Sequence, residues 1–304
     1  MAGFRLGQLS ITKILEMESD APMAWAFPEV SAEDLQRLKR WYWSDELAAD
    51  PAQAAVRLSI HSFVLRSEGQ TILIDSCNGN DKSRSVPFAD QLQTAYLDNL
   101  AAAGVRPQQV DLVLCTHLHC DHVGWNTRLE NGRWVPTFPN ARYLFGRRDY
   151  EFFSVQQHEQ LHKEAFEDSI LPIVEAGLAD MVESDHVVQR EIGDGVWLED
   201  AHGHSPGCCV VHAQRGGERA LFTGDVFHHP IQFIRPNMPF FADEDSAQAV
   251  ITRNRLFNEH ADTSTIIFPA HFTRSSAGRI RRDGDAFQFE FLEPDADEPQ
   301  IVGT

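Results

Sequence analysis

The run Thr116-His117-Leu118-His119-Cys120-Asp121-His122 sets three imidazoles and a carboxylate between positions 117 and 122, directly after the apolar stretch 110–115. Imidazole nitrogen and carboxylate oxygen suit zinc, and also manganese, iron or cobalt, and one zinc ion takes about four such donors. A continuous helix would put His117 and His122 on different faces, so a loop leaving a strand end is the expected carrier. Three more donors stand in similar settings: His204 within His202-Gly203-His204-Ser205-Pro206-Gly207, Asp225 within Phe222-Thr223-Gly224-Asp225, and His271 within Phe268-Pro269-Ala270-His271. Each follows a β-rich run and has Gly or Pro beside it. Strand carboxyl ends are where α/β folds place their chemistry. Taken singly, His204 reads as a loop histidine with His202 as its rival, and Asp225 as a turn former; their joint order points to a metal centre.

The elements that must position these donors are legible in outline. Leu9 to Glu16 suits a first strand, and Ser31 with Asp34 caps a short helix reaching Arg40. Val56–Arg66 and Thr71–Asp75 form β-rich runs joined by the hairpin signal Ser67-Glu68-Gly69-Gln70. Phe88 to Ala103 predicts a helix stopped by Gly104, and Val110 to Cys115 a buried strand feeding the histidine run. Asn131-Gly132 marks a hairpin, Arg142 to Phe145 a strand, and 147–180 a helical region broken near Pro172. Strands are expected at Val196–Glu199, Cys208–Ala213, Arg219–Phe222 and Thr265–Phe268, with a helix over Ala247–Glu259. Phe287, Phe289 and Phe291 alternate as in a late edge strand. No repeat or linker interrupts the chain. The expectation is one domain over 1–304, with an aromatic N-terminal arm at about 18–55 and a short, frayed acidic tail at 293–304.

Composition narrows the partners. The 304 residues carry 26 basic and 45 acidic side chains, a net charge of −19, which repels phosphate backbones and anionic lipid. No nucleic-acid or membrane partner is expected. No apolar stretch approaches the roughly 18 residues needed to cross a bilayer, and 1–18 does not read as a signal peptide. Five cysteines without regular spacing suggest reduced thiols and a cytoplasmic location.

The ordered set HxHxDH, then His, then Asp, then His resembles the metallo-β-lactamase superfamily over roughly Ser59 to His271. Leu73-Ile74-Asp75 is similar to that family's early LxDxG-type motif, although Ser76-Cys77 follows here. The resemblance implies an α/β fold, a four-layer αββα sandwich of two mixed β-sheets flanked by helices. It implies two divalent metal ions, Zn2+ first and Mn, Fe or Co as other options. His117, His119 and His204 would hold one; Asp121, His122 and His271 the other; Asp225 would bridge both, and Asp75 would orient ligands. A bridging hydroxide would attack the substrate without a covalent intermediate, with Asp121 as proton shuttle.

Within the superfamily, Asp225 argues against the β-lactam-cleaving branch. Only 272–304 follow His271, which is short for the helical C-terminal domain of thioester-cleaving relatives. His119 stands where the diiron-flavoprotein branch would carry Glu. The lactonase and organophosphate-hydrolase branch remains, and 224–230 resembles it. The implied activity is a metal-dependent hydrolase acting on a small neutral lactone or ester, of the acyl-homoserine-lactone type, with phosphotriester cleavage as a side activity. Alternatives are a mononuclear-iron persulfide dioxygenase-like oxidoreductase and a non-catalytic metal-binding protein. Trp25, Phe27, Trp41 and Trp43 are candidates for an apolar lid, against ordinary packing on the core or on a second subunit of a homodimer. His228 and His229 are candidate substrate or ligand contacts, against a simpler reading in which they only pack and cap. His61 is a candidate neighbour of the ligands whose simpler reading is a core histidine, and Cys120 reads as a small buried side chain.

Overall fold

A computed structural model describes residues 3–42, 44–45, 47–67, 69–155, 159–191 and 194–295. Trp43, Glu68 in the first hairpin and most of the acidic tail lie outside the described residues. The chain divides into two compact units that interleave in sequence: one comprises 1–17, 60–186 and 294–304, the other 18–59 and 187–293.

The first unit carries most of a seven-stranded mixed sheet. Its strand order is Gly3–Leu6, Leu9–Pro22, Ala55–Ser67, Gln70–Ile74, Leu112–Leu114, Arg142–Gly146 and Ala179–Val182. The hairpin signal at 67–70 closes as expected, with Ser67 opposite Gln70. Four strands then run parallel, with Ile74 beside Leu114, Leu114 beside Leu144 and Gly146 beside Val182. Two chain segments, starting at Asp75 and at Cys115, therefore leave the sheet at one end. Leu73, Val113, Tyr143 and Phe145 are buried with Tyr96, Leu100 and Ile173 from the flanking helices. The Asn131-Gly132 turn takes positive φ at both positions (51° and 76°) and joins Thr127–Glu130 to Arg133–Pro136, as its type requires.

Two predicted helices are shorter than expected. Residues 88–95 are not helical, and the helix is Tyr96–Ala102. Local bonds win there: Asn80 Oδ1 accepts from the Thr94 amide at 2.7 Å, Asp90 Oδ1 from the Arg84 amide at 2.8 Å, and Gln91 takes φ 49°. The region 147–180 resolves into Arg147–Val155, Gln160–Ala165, a π-helical turn Phe166–Ile170 and Leu171–Glu175 before a strand begins at Ala179. Pro172 starts the last helix rather than breaking one, because the first turn needs no amide donor there.

The second unit carries the other seven-stranded mixed sheet, in the order Val187–Glu191, Asp194–Asp200, Cys209–Arg215, Glu218–Gly224, Ile266–Pro269, Gly278–Asp283 and Ala286–Phe291. Its one parallel pair sets Phe222 beside Phe268 and Gly224 beside Pro269, so Asp225 and His271 leave neighbouring strand ends. The phenylalanines of the last strand alternate toward a core of Leu221, Ile267, Phe233, Leu256 and Phe257. Ser31 caps Ala32–Leu38 through a reciprocal box with Asp34, worth about 1 kcal/mol. Two mixed sheets with flanking helices are the components an αββα class requires. Among the described residues no helix is long and apolar enough to cross a membrane.

Candidate metal centre

In the first unit the histidine run leaves Leu112–Leu114 as a loop and then makes one helical turn, Cys120–Val123, capped by His119. His117, His119 and His122 are buried. Nε2 of His117 stands 3.1 Å from Nδ1 of His119, and the His117 and His122 rings lie 4.0 Å apart. Nδ1 of His122 meets Asp75 Oδ2 at 3.0 Å, which fixes the tautomer and turns Nε2 the other way, 3.7 Å from Asp121 Oδ2. Asp75 also accepts from Thr116, the amide at 2.7 Å and the hydroxyl at 2.9 Å, so one carboxylate orients both the loop and a ligand-type ring.

Backbone contacts hold this arrangement. The Ser76 amide donates to His122 O at 2.7 Å, and the Gly124 and Trp125 amides donate to Cys77 O and Ser76 O. A Cβ on Gly124 would stand 1.7 Å from Asn78 O, so only glycine permits the approach. Asp75 and Cys77 take φ 56° and 52°. The left-handed backbone at Cys77 explains why a glycine belongs at that position of the LxDxG pattern. His162, which spacing did not single out, stacks on His119 at 5.2 Å. His61 is a buried strand residue whose ring meets Phe63 edge-on at 4.8 Å.

In the second unit Asp225 is buried at the end of its strand. Its Oδ2 lies 3.1 Å from His204 Nε2 and 3.2 Å from His228 Nε2, and His271 Nε2 is 3.1 Å from each oxygen. His271 Nδ1 faces Ser59 O at 3.3 Å, which directs Nε2 to the carboxylate. The rivalry within 202–204 resolves by geometry: His202 pairs with Asp200, whereas His204 faces Asp225. Burial opposes charge on His204, but Asp225 and Asp243 together lift its pKa to about 9. Desolvated imidazoles around one carboxylate are the donor chemistry of a divalent cation, and so is the three-histidine, one-aspartate run of the first unit. The residues present fit such ions.

The predicted aromatic cluster divides. Phe27 is core, 5.4 Å from Phe240 and 6.1 Å from His229. Trp41 packs on Phe233 at 6.5 Å. Trp25 is 47% exposed and lies on Phe241, itself 44% exposed, at 3.7 Å. Phe240 in turn stacks on His228 at 3.7 Å.

His229 is buried among these rings, accepts the Ile231 amide at Nδ1 (3.2 Å), and is pushed by burial to a pKa of about 3. A depressed histidine binds fewer protons folded than unfolded. Its stabilising contribution is full above pH 6.5 and is lost as pH falls toward 3. Urea unfolding of chelator-treated protein should therefore weaken across that window, with a shallower slope for His229→Phe; equal slopes would refute the assignment.

Likenesses to known proteins bear on this arrangement. Residues 55–271 match the metallo-beta-lactamase superfamily. An N-acyl homoserine lactonase from Bacillus cereus is 26% identical over 237 residues, 73% of this chain and 85% of that protein. A crystal structure of the hydrolase AbOPH, in the beta lactamase superfamily, superposes with a TM-score of 0.78 at 24% identity, covering 97% of this chain and 98% of that one. AidC, a dizinc quorum-quenching lactonase in complex with a product, gives 0.76 at 20% identity, with 98% of each chain covered. The match takes in all seven donors at strand ends that the sequence put in order, and with that the chain belongs to the metallo-β-lactamase superfamily and is a metal-dependent hydrolase.

Proposed function

We propose that the two donor sets hold one pair of divalent cations, zinc by preference, and that the chain opens a small neutral lactone of the acyl-homoserine-lactone type. The observation that carries this reading is Asp225, a single buried carboxylate offered to His204, His228 and His271 at 3.1–3.2 Å. The likeness to the Bacillus cereus lactonase and to AidC supports the substrate class. His117, His119 and His204 would hold one ion, and Asp121, His122 and His271 the other, with the Asp225 carboxylate available to both. The family match takes in parts of both units, which supports reading the chain as one catalytic domain.

When bound, such a pair lowers the proton affinity of water and polarises the acyl oxygen. Asp75 keeps His122 in the required tautomer. Asp121, whose side chain is 19% exposed, receives the proton of the attacking water at its carboxylate and returns it to the leaving oxygen. His228, fully buried against Phe240 and facing Asp225, would contact the substrate or a ligand. Trp25 and Phe241 supply exposed apolar surface for an acyl chain.

A panel of lactones of rising acyl length and of phosphotriesters, assayed before and after chelation, tests this reading. The expected result is lactone opening that disappears on chelation and returns with added zinc. Turnover that survives complete metal removal, or no lactone rate above a zinc-only control, overturns it.

A further inference from the structure

The acidic run Asp243-Glu244-Asp245 directly precedes the helix Ser246–His260. We infer that Asp243 is a positioning residue for His204, and that the buried Arg253 holds it there. The inference rests on reading His204 as a metal ligand.

Asp243 Oδ1 lies 3.0 Å from His204 Nδ1, and both side chains are almost completely buried. Its other oxygen accepts the Phe240 amide at 3.0 Å and faces Arg253 Nη2 at 3.7 Å. With Nδ1 bonded to a carboxylate, His204 presents Nε2 to Asp225, the orientation a metal needs. Arg253 is fully buried, and its other nitrogens donate to backbone. Nε reaches Val226 O at 2.9 Å, one residue past Asp225; Nη1 reaches Met238 O at 2.7 Å and Pro236 O at 3.2 Å. One guanidinium thus ties the segment after Asp225, the loop 236–243 and the Asp243 carboxylate together. Burial alone would raise the Asp243 pKa; the hydrogen bond and charge of His204 hold it below the usual range.

The same helix clamps the His204 loop from a second direction. The Glu244 and Asp245 amides donate to His204 O (3.1 Å) and Gly203 O (2.9 Å), and Thr252 Oγ1 donates to His202 O at 2.6 Å. Gly203 adopts φ +132°, and a Cβ there would stand 2.2 Å from Ala249 N. The loop conformation and the ring conformation of His204 are therefore both set from one helix face, Ala249, Thr252 and Arg253, through Asp243.

The test is zinc affinity of the full chain by competition with a chromophoric chelator, read beside the ligand-field spectrum of the cobalt(II)-substituted protein. Asp243→Asn is expected to weaken one of two zinc equivalents about 10–100-fold and to change the cobalt spectrum. Asp243→Glu should recover part of both, and Arg253→Met should weaken the same equivalent. Wild-type affinity and spectrum in Asp243→Asn overturn the inference. So does a lower melting temperature of the chelated protein with an unchanged cobalt spectrum, since that is a purely structural role. Should Asp243→Asn not fold, 15N shifts of the zinc-loaded wild type decide: a hydrogen-bonded Nδ1–H on His204 supports the inference, and metal on Nδ1 refutes it. His204→Ala separates the two readings. If it removes a zinc equivalent and Asp243→Asn does not, only the positioning role falls. If the wild type binds no zinc, the proposed function falls and the inference with it.

Discussion

Asp225→Ala should lose both zinc occupancy and lactone turnover, with kcat/KM reduced at least about a thousandfold. The size follows from what a pair of cations contributes to charge stabilisation in the transition state, several kcal/mol, at about 1.4 kcal/mol per tenfold in rate. Asp225 meets His204, His228 and His271 within 3.2 Å. Removing it takes away the one carboxylate that His204, His228 and His271 share, which disfavours any approaching cation. Asp225→Asn retains shape and one acceptor oxygen but no charge, so it should fall between wild type and Ala in metal content. Metal analysis by atomic emission, beside kinetics on the best lactone, checks both quantities in one preparation. A variant that keeps two zinc ions and loses less than tenfold in kcat/KM would remove Asp225 from the centre of the reaction.

The strand-end setting of the candidate donors was legible because it is local. A histidine or aspartate directly after a β-branched run, next to Gly or Pro, announces a strand end, and the parallel pairs at 72–74 with 112–114 and at 220–224 with 266–269 then bring such ends side by side. Asp243 carries no comparable signal. Its link to His204 spans 39 positions and depends on where a helix docks, which no periodicity encodes. The aromatic arm divides for the related reason that an irregular segment has no face to read: Phe27 and Trp41 turn inward, and Trp25 does not. At 88–95, apolar spacing suggested helix, but Asn80 and Asp90 captured the amides first. Whole strands at Gly3–Leu6, Val187–Glu191 and Gly278–Asp283 went unread because they are short or polar, and only pairing with a neighbour makes them strands.

Asp168→Ala should destabilise the first unit by about 3–5 kcal/mol, the cost of leaving a buried charge uncompensated. Asp168 sits in the π-helical turn Phe166–Ile170 and is the anion for two buried cations. Arg84 grips it with both terminal nitrogens, one at 2.9 Å, and Lys82 Nζ lies 3.5 Å from Oδ1. Lys82 also donates to Thr127 Oγ1 at 2.6 Å and lies 3.6 Å from the Trp134 ring centre. Without Asp168 the lysine can shed its proton, because burial already pushes its pKa down to about 7. The guanidinium cannot. Asp168→Asn should therefore destabilise nearly as much as Ala, since lost charge outweighs lost shape. Lys82→Met should cost little, because it removes the ion whose burial is least well compensated. The lysine also sets a pH signature. Its folded pKa lies below the unfolded 10.5, so wild-type stability should rise from pH 7 to pH 10.5, and Lys82→Met should flatten that rise. The segment Arg84 and Lys82 anchor continues from 76–79, whose backbone backs the turn Cys120–Val123. Loosening it should lower zinc retention as well as urea resistance. Urea midpoints for Asp168→Ala and wild type that coincide would show that this ion cluster does not hold the ligand loop in place.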